Sequence, residues 1–505
     1  MNVRRSHLNR LGLVLVLCLC AAFSAAGQLR YEQRLRSNPW NAGRNAAGLR
    51  TDGASFSNAE LYGEYLGGGF RSPDEAASEW KAGAQARTVT SLDKFSMRGS
   101  FGFEDREAYD ECGSMFLESG RFPIDVVEFT PGRKTYQTYT MSGAVAVELA
   151  RGWTVGAALD FESRNAAKRK DLRYTDYALD LSFSPGVMYS GEGFAAGLAL
   201  IYDRNTETVN AEQIGSAAAA PTAFFDEGLC IGALQAWTGS GTRLSEAGVS
   251  GLPVVQSALG AAAQLQLHRS LYAEAEFSWL RGRVGERQTV WYRYEGPRAA
   301  LRLEARSGRH ALRASADWQL LSNRKTVLNK TVEGGITLTR EYGSNSILQQ
   351  SSVEAGLEYE YLGRLLELRA ELGADYSESL TTPLYPYFYT QKLQRYSLAV
   401  EPLVHLGHFD LAARLRGGLG FRDDASRVVE GVSESVSEPY RHSERYAQLC
   451  EFATAPRAAA GLSLRWNFLP GLYTEVYGDC VKAFSLNNIA GSLRWDAGLR
   501  LGYNF

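Results

Sequence analysis

From Leu493 to Phe505 the chain alternates without a slip. Leu493, Trp495, Ala497, Leu499, Leu501, Tyr503 and Phe505 are apolar or aromatic, and Arg494, Asp496, Gly498, Arg500, Gly502 and Asn504 are polar or glycine. A period of two puts these residues on an amphipathic strand, whereas a helical period of 3.6 would scatter them. The same alternation runs through residues 95–104, 153–162, 352–361 and 366–375. A strand as long as the last one is about twice the usual soluble length and leaves an open edge unless something pairs with it.

The links between alternating runs come in two kinds. Tight ones fall at Ala150–Trp153, Ser190–Gly193, His268–Ser270, Ser307–His310, Leu362–Leu365, Gly407–His408 and Leu469–Gly471. Long polar stretches lie near residues 105–133, 164–172, 204–255, 322–347, 377–392, 422–452 and 483–491. Short and long links that take turns predict an all-β, closed, antiparallel, transmembrane up-and-down β-barrel with short periplasmic turns and long extracellular loops. Placing every tight link at one end gives an even strand number, about 18 with residues 58–70 and 79–90 counted and about 16 without. This count treats Leu229 to Trp237 as external loop and residues 326–341 as a hairpin or strand extension beyond the membrane.

In hydrocarbon each unpaired backbone group costs several kcal/mol, so one-sided strands are tolerated only in a closed ring. A soluble propeller, solenoid or multi-sandwich would show a repeat or a second covering layer. Instead, aromatics sit near strand ends, at Trp153, Phe194, Trp279, Trp318, Phe409, Trp466 and Trp495, as in an interfacial girdle. Pro185, Pro297 and Pro402 fall within these strands and are expected at barrel ends or bulges, because proline cannot donate to a ladder.

Composition narrows the class further. Lys plus Arg number 54 and Asp plus Glu 56, a formal charge of −2, so no basic surface for nucleic acid is indicated. The mean hydropathy of −0.24 is wrong for a bundle of membrane helices. Arg4, Arg5 and Arg10 precede an apolar run from Leu11 to Ala22, and Ser24–Gly27 are small; residues 1–27 therefore read as an export signal peptide, residues 28–57 as a periplasmic N-terminal segment able to sit in the lumen as a hatch, and residues 58–505 as the barrel. Cys112, Cys230, Cys450 and Cys480 are too dispersed for a zinc site or a disulfide framework.

The candidate chemistry is sparse. His268, His310, His405 and His408 map to tight turns, and His442 to the external side; no nucleophile, zincin or phosphate-loop motif is present. No catalytic residue, metal ligand or cofactor is therefore assigned. Inward-facing positions carry both signs: Arg302, Glu304, Arg313, Asp317, Glu367, Arg369, Glu371, Arg494, Asp496 and Arg500 are the lumen-lining candidates, and such cross-strand pairs keep a lumen wetted. In the stretch Thr382–Thr390, Tyr385, Tyr387, Phe388 and Tyr389 belong either to the girdle or to a ligand-stacking surface.

The final Leu499, Leu501, Tyr503 and Phe505 resemble the C-terminal targeting signal that the assembly machinery of bacterial outer membranes reads. Residues Asn38–Leu49, beginning Asn-Pro-Trp, are similar to the Asn-Pro-Ala segment of the long-chain fatty-acid transporter family, with Ala46 where that family has proline; the resemblance implies a lumenal hatch. The chain as a whole resembles uncharacterised outer-membrane barrels of Bacteroidota. Together these readings predict an outer-membrane barrel, its termini periplasmic and outer-membrane lipid around it, that passes small solutes as a channel without energy coupling of its own. A surface-binding or secretion-accessory barrel with a blocked lumen is the second reading. An outer-membrane hydrolase using His442 is the third.

Overall fold

The computed structural model describes residues 31–505 apart from residues 52, 171, 213–221, 237–250, 287–288, 334–335 and 432–435. The export segment expected over residues 1–27 lies outside the described residues.

The strands follow the alternation of the sequence. The first group is β1 (Phe56–Gly68), β2 (Ser78–Ser91), β3 (Phe95–Ser114), β4 (Asp125–Ala150), β5 (Trp153–Lys168), β6 (Arg173–Gly191) and β7 (Phe194–Glu212). A short hairpin follows, β8 (Thr222–Asp226) with β9 (Gly232–Ala236). Next come β10 (Gly251–Leu267), β11 (Leu271–Glu286), β12 (Thr289–Ser307), β13 (His310–Glu333), β14 (Ile336–Leu362) and β15 (Leu366–Thr381). The chain finishes with β16 (Tyr387–Leu406), β17 (Phe409–Val428), β18 (Arg457–Leu469), β19 (Leu472–Ala483) and β20 (Leu493–Asn504).

Successive strands pair antiparallel, β7 pairs with β10, and β20 returns to β1 from Asn58↔Asn504 to Gly68↔Arg494. The result is a closed ring of 18 strands. The hairpin β8–β9 stands outside the ring count and adds to the outer end of β4 through Asp125↔Asp226. Leu229 to Trp237, expected as loop, thus contains a short strand that lies off the barrel wall.

One end of the ring carries links of two or three residues, and Gly152, Gly193, Gly308, Gly407 and Gly471 there adopt positive φ, which tight hairpins require and glycine supplies without strain. At the other end the expected loops shrink. The stretches 105–133, 164–172 and 322–347 are largely strand, because β3, β4, β5, β6, β13 and β14 run on past the apolar band. The apolar alternation stops where neither face meets hydrocarbon, while the backbone ladder continues in water. That difference hid these extensions in the sequence.

The outer face is apolar: Leu259, Phe101, Leu415 and Trp153 are exposed, at 68%, 52%, 59% and 50%, on a surface that only lipid can cover. The prolines behave differently from expectation. On either side of Pro185, Pro297 and Pro402 one ladder lapses for two residues and resumes in unchanged register. They lie inside strands, with neither a bulge nor a barrel end to host them, and the neighbouring residues hold the register.

Candidate functional site

The lumen is filled from both ends. At the tight-turn end the helix α1 (Tyr31–Ser37) and two 3-10 turns, Pro39–Ala42 and Ala46–Thr51, lie inside the barrel. Asn38 caps the first turn by accepting from the Trp40 amide at 3.2 Å, and Pro39 occupies the position where a missing N–H costs nothing. That cap aims Trp40 into the wall. Its ring is 2% exposed, stands edge-on to Tyr272 at 5.5 Å, and its Nε1 donates to Gln266 at 2.9 Å.

Asn45 fixes the next turn. Its Nδ2 donates to the Val187 carbonyl at 3.0 Å and to Gln264 at 3.2 Å, while its Oδ1 accepts from the Ala47 amide at 3.1 Å. The wall is shaped to receive it: a Cβ on Gly156 would stand 2.4 Å from the Ala47 nitrogen, and one on Gly186 would stand 2.3 Å from the Asn45 side chain. Such approaches admit only glycine. Arginines from the wall then bond the segment's carbonyls: Arg98 to Asn41 at 2.9 Å, Arg302 to Ala42 at 2.9 Å, and Arg306 and Arg313 to Arg36 at 2.9 and 3.3 Å.

The lining residues named from sequence separate into three groups. Arg302, Glu304, Arg313, Glu367, Arg369 and Glu371 form one network with the segment. Arg313 bridges Glu304 at 2.9 Å and Glu360 at 2.7 Å and reaches Glu358, which also holds Arg369 at 2.7 Å; Glu371 is 3.5 Å from Arg369. Glu367 accepts from Gln33 of α1 and faces His405 at 2.9 Å. Arg494, Asp496 and Arg500 lie across the barrel. Arg494 turns toward Ala76 and Glu75, whereas Asp496 and Arg500 line a cavity of about 490 Å³ beside α1, with Arg500 over the Tyr477 ring. Asp317 belongs to neither group and faces mid-lumen.

The long-loop end is roofed by a core of soluble-protein character. Met115, Phe116, Phe122 and Ile124 from the β3–β4 link fold inward onto Leu252, Val254, Leu280, Tyr292, Tyr294 and Ile347. The helix α2 (Ser443–Thr454) covers the rest, anchored by Arg445, which is 5% exposed and ion-paired with Asp74. Asp74 also accepts from the Ser114 amide at 3.0 Å, and the Ser114 hydroxyl donates to Asp125 at 2.7 Å. Burial pushes the Asp226 carboxyl up to about 6; burial, with the Asp74 charge beside it, pushes Asp125 up to about 8. Both lie above the lipid band.

The aromatic loop does not form one stacking surface, because strand alternation divides it. Tyr387 and Tyr389 point inward, donating to the Val436 carbonyl at 2.8 Å and to Glu438 at 2.9 Å, and pack with Ile231 under the roof. Tyr385 and Phe388 meet each other elsewhere, with Arg427 over the Phe388 ring. His442 accepts from the Arg445 amide at 3.3 Å as the cap of α2 and stacks on Phe129. Its ring is committed to packing. Among the described residues no group of three or more His, Cys, Asp or Glu side chains could hold a metal ion.

Between the N-terminal segment and the roof lies a polar chamber. Two cavities of about 370 and 380 Å³ share Arg44, Asp203 and Arg298 and are lined largely by serines, amides and carboxylates, Asp317 among them. Arg44, at the segment's tip, reaches Glu276 at 3.4 Å and Asp203 at 3.7 Å. Sequence reasoning missed this chamber and Arg445. The one signal available was the apolar trio Phe116, Phe122 and Ile124 inside an otherwise polar stretch.

The profile of a family described as "Family of unknown function (DUF6850)" matches residues 46–505. No curated protein matches the chain. Among solved structures it is similar to the copper transporter OprC, at 8% identity, TM-score 0.43, over 90% of this chain and 80% of that one. It is similar also to the ferric enterobactin receptor PfeA of Pseudomonas aeruginosa, at 11% identity, TM-score 0.41, over 89% and 81%. The ferric yersiniabactin uptake receptor FyuA of Yersinia pestis stands at 8%, 0.34, over 89% and 80%. The passive channel expected from the sequence is corrected by the structure: the N-terminal segment and the roof occupy the path that free diffusion needs. None of these three structures is named as a fatty-acid transporter.

Proposed function

The chain belongs to the family of unknown function DUF6850, and from that premise we propose that it is a gated, receptor-type outer-membrane barrel for uptake of a small polar solute, closed at rest. The tight turns and both termini face the periplasm, and the long-loop end faces outward. The observation that carries the reading is the fit of Trp40 and Asn45 into a wall whose glycines leave room for them. A blocked barrel with no moving part has no use for a polar chamber behind its block, whereas a gate does.

Uptake then needs two events. The roof must loosen around Arg445 to admit solute, and the segment must leave the wall to release it on the other side. The chamber's serines, amides and unevenly paired charges suit a hydrated solute and offer an apolar one nothing to bury against. Leu499, Leu501, Tyr503 and Phe505 serve assembly, being the lipid-facing row of the strand that closes the ring.

Planar bilayers test closure directly. Wild-type protein should stay silent, and protein lacking residues 31–51 and carrying Arg445→Ala should show conductance steps. Wild-type steps as large as those of the doubly altered protein would overturn the reading.

A further inference from the structure

On the outer face of β11, β12 and β13 the lipid-facing apolar run ends sharply. Leu271, Phe277 and Trp279 on β11, Leu303 and Leu301 on β12, and Leu312, Trp318 and Leu320 on β13 are all exposed. The next outward positions toward the long-loop end are charged or polar. Arg281 and Arg283 follow Trp279 on the same face, Glu295 and Arg293 follow Pro297, and Ser322 and Arg324 follow Leu320.

The register stacks three of these arginines. Arg283 is the direct partner of Arg293, and Arg293 is the direct partner of Arg324. Like charges directly opposite on neighbouring strands destabilise a sheet. Two neighbours relieve the patch in part: Arg281 pairs with Glu295 at 3.3 Å, and Arg293 with Glu341 at 2.7 Å. Among the described residues Arg283 and Arg324 have no carboxylate partner, and the Arg283 Nε is buried without a hydrogen bond. Three arginines at one level, with Arg281 and Glu295 one step below and Glu341 reaching in from above, leave an excess of positive charge that suits an anion.

Its height and direction name the anion. The row faces away from the lumen, immediately above the tryptophans that mark the edge of the hydrocarbon, so the group that meets it is a lipid headgroup. A guanidinium fork matches phosphate in two-point contact, and a row of three requires more than one negative charge. We infer that Arg283, Arg293 and Arg324 form a binding site for a phosphorylated glycolipid headgroup of the outer leaflet. The site uses the outward placement of the long-loop end and is independent of whether the lumen is gated.

The test uses the mature full chain in a neutral detergent, titrated with bisphosphorylated lipid A and with fully dephosphorylated lipid A, binding being read by native mass spectrometry. The phosphorylated lipid should bind at least tenfold more tightly, and raised salt should erode the difference. Each basic residue at an anionic headgroup is worth roughly fivefold, so Arg283→Gln, Arg293→Gln and Arg324→Gln together should lose on the order of 100-fold. Binding of the dephosphorylated lipid should not change. Replacing the same three by Lys keeps the charge without the fork and should fall between. Arg324→Gln alone, expected to lose about fivefold, keeps the test available should the triple variant fail to assemble as a heat-resistant barrel. Equal affinity for the two lipids, or undiminished lipid A binding by the folded glutamine variants, would overturn the inference, whatever the bilayer recordings show about the lumen.

Discussion

Trp40→Ala should free the N-terminal segment without touching the barrel. The indole is 2% exposed and donates to Gln266, and Gly48 packs against its face so closely that a Cβ there would stand 2.6 Å away. Truncating a buried tryptophan costs roughly 3–5 kcal/mol, part of it the lost contact and part the void left behind. All of that cost falls on docking, since the strands keep their own ladder. At about 1.4 kcal/mol per tenfold, the undocked population rises by a factor of roughly 100 to 4,000. Limited trypsin digestion in detergent reads it, because Arg34, Arg36, Arg44 and Arg50 lie in the segment and cleavage follows the open population when closing is fast. Trp153→Ala is the control: Trp153 is half exposed on the outer face, and its loss should leave cleavage unchanged. Cleavage of the Trp40 variant within twofold of wild type, with the barrel still resistant to heat, would refute the claim that this ring holds the segment.

The remaining predictions concern the roof and the seam. Asp125 and Asp226 bind protons more tightly folded than unfolded, so roof stability falls as pH rises from the ordinary carboxylate range through about 6 for Asp226 and about 8 for Asp125; hydrogen exchange in residues 115–127 and 443–454, corrected for intrinsic rates, should be faster at alkaline than at mildly acidic pH, and Asp226→Asn should flatten the lower part of the change. Arg445→Met leaves Asp74 buried without its cation, a loss of roughly 3–5 kcal/mol, and should raise exchange in α2 while β18–β20 stay protected. Phe505 exchanges two backbone hydrogen bonds with Ser57, at 2.8 and 3.0 Å; its removal should lower the yield of assembled barrel in membranes more than it lowers the melting temperature of barrel already assembled.

The ring was legible in the sequence and its contents were not, and the difference is physical. Lipid contact imposes a period of two on every strand, so Leu493–Phe505 and residues 153–162 announced themselves, and the parity of tight turns fixed an even count. Inside the barrel no such uniform solvent acts. Arg302 and Arg313 read as lumen lining, but nothing local says that their partners are the carbonyls of Ala42 and Arg36, some 260 to 277 residues away in sequence. The same holds for Gly156 and Gly186, which look like ordinary strand glycines until the segment is seen against them. Hence a sequence reading that stops at alternation gives an empty pipe, and an empty pipe implies passive flow. What turns that pipe into a closed barrel is a set of contacts between residues far apart in the chain, and each is a contact that a working gate would have to break.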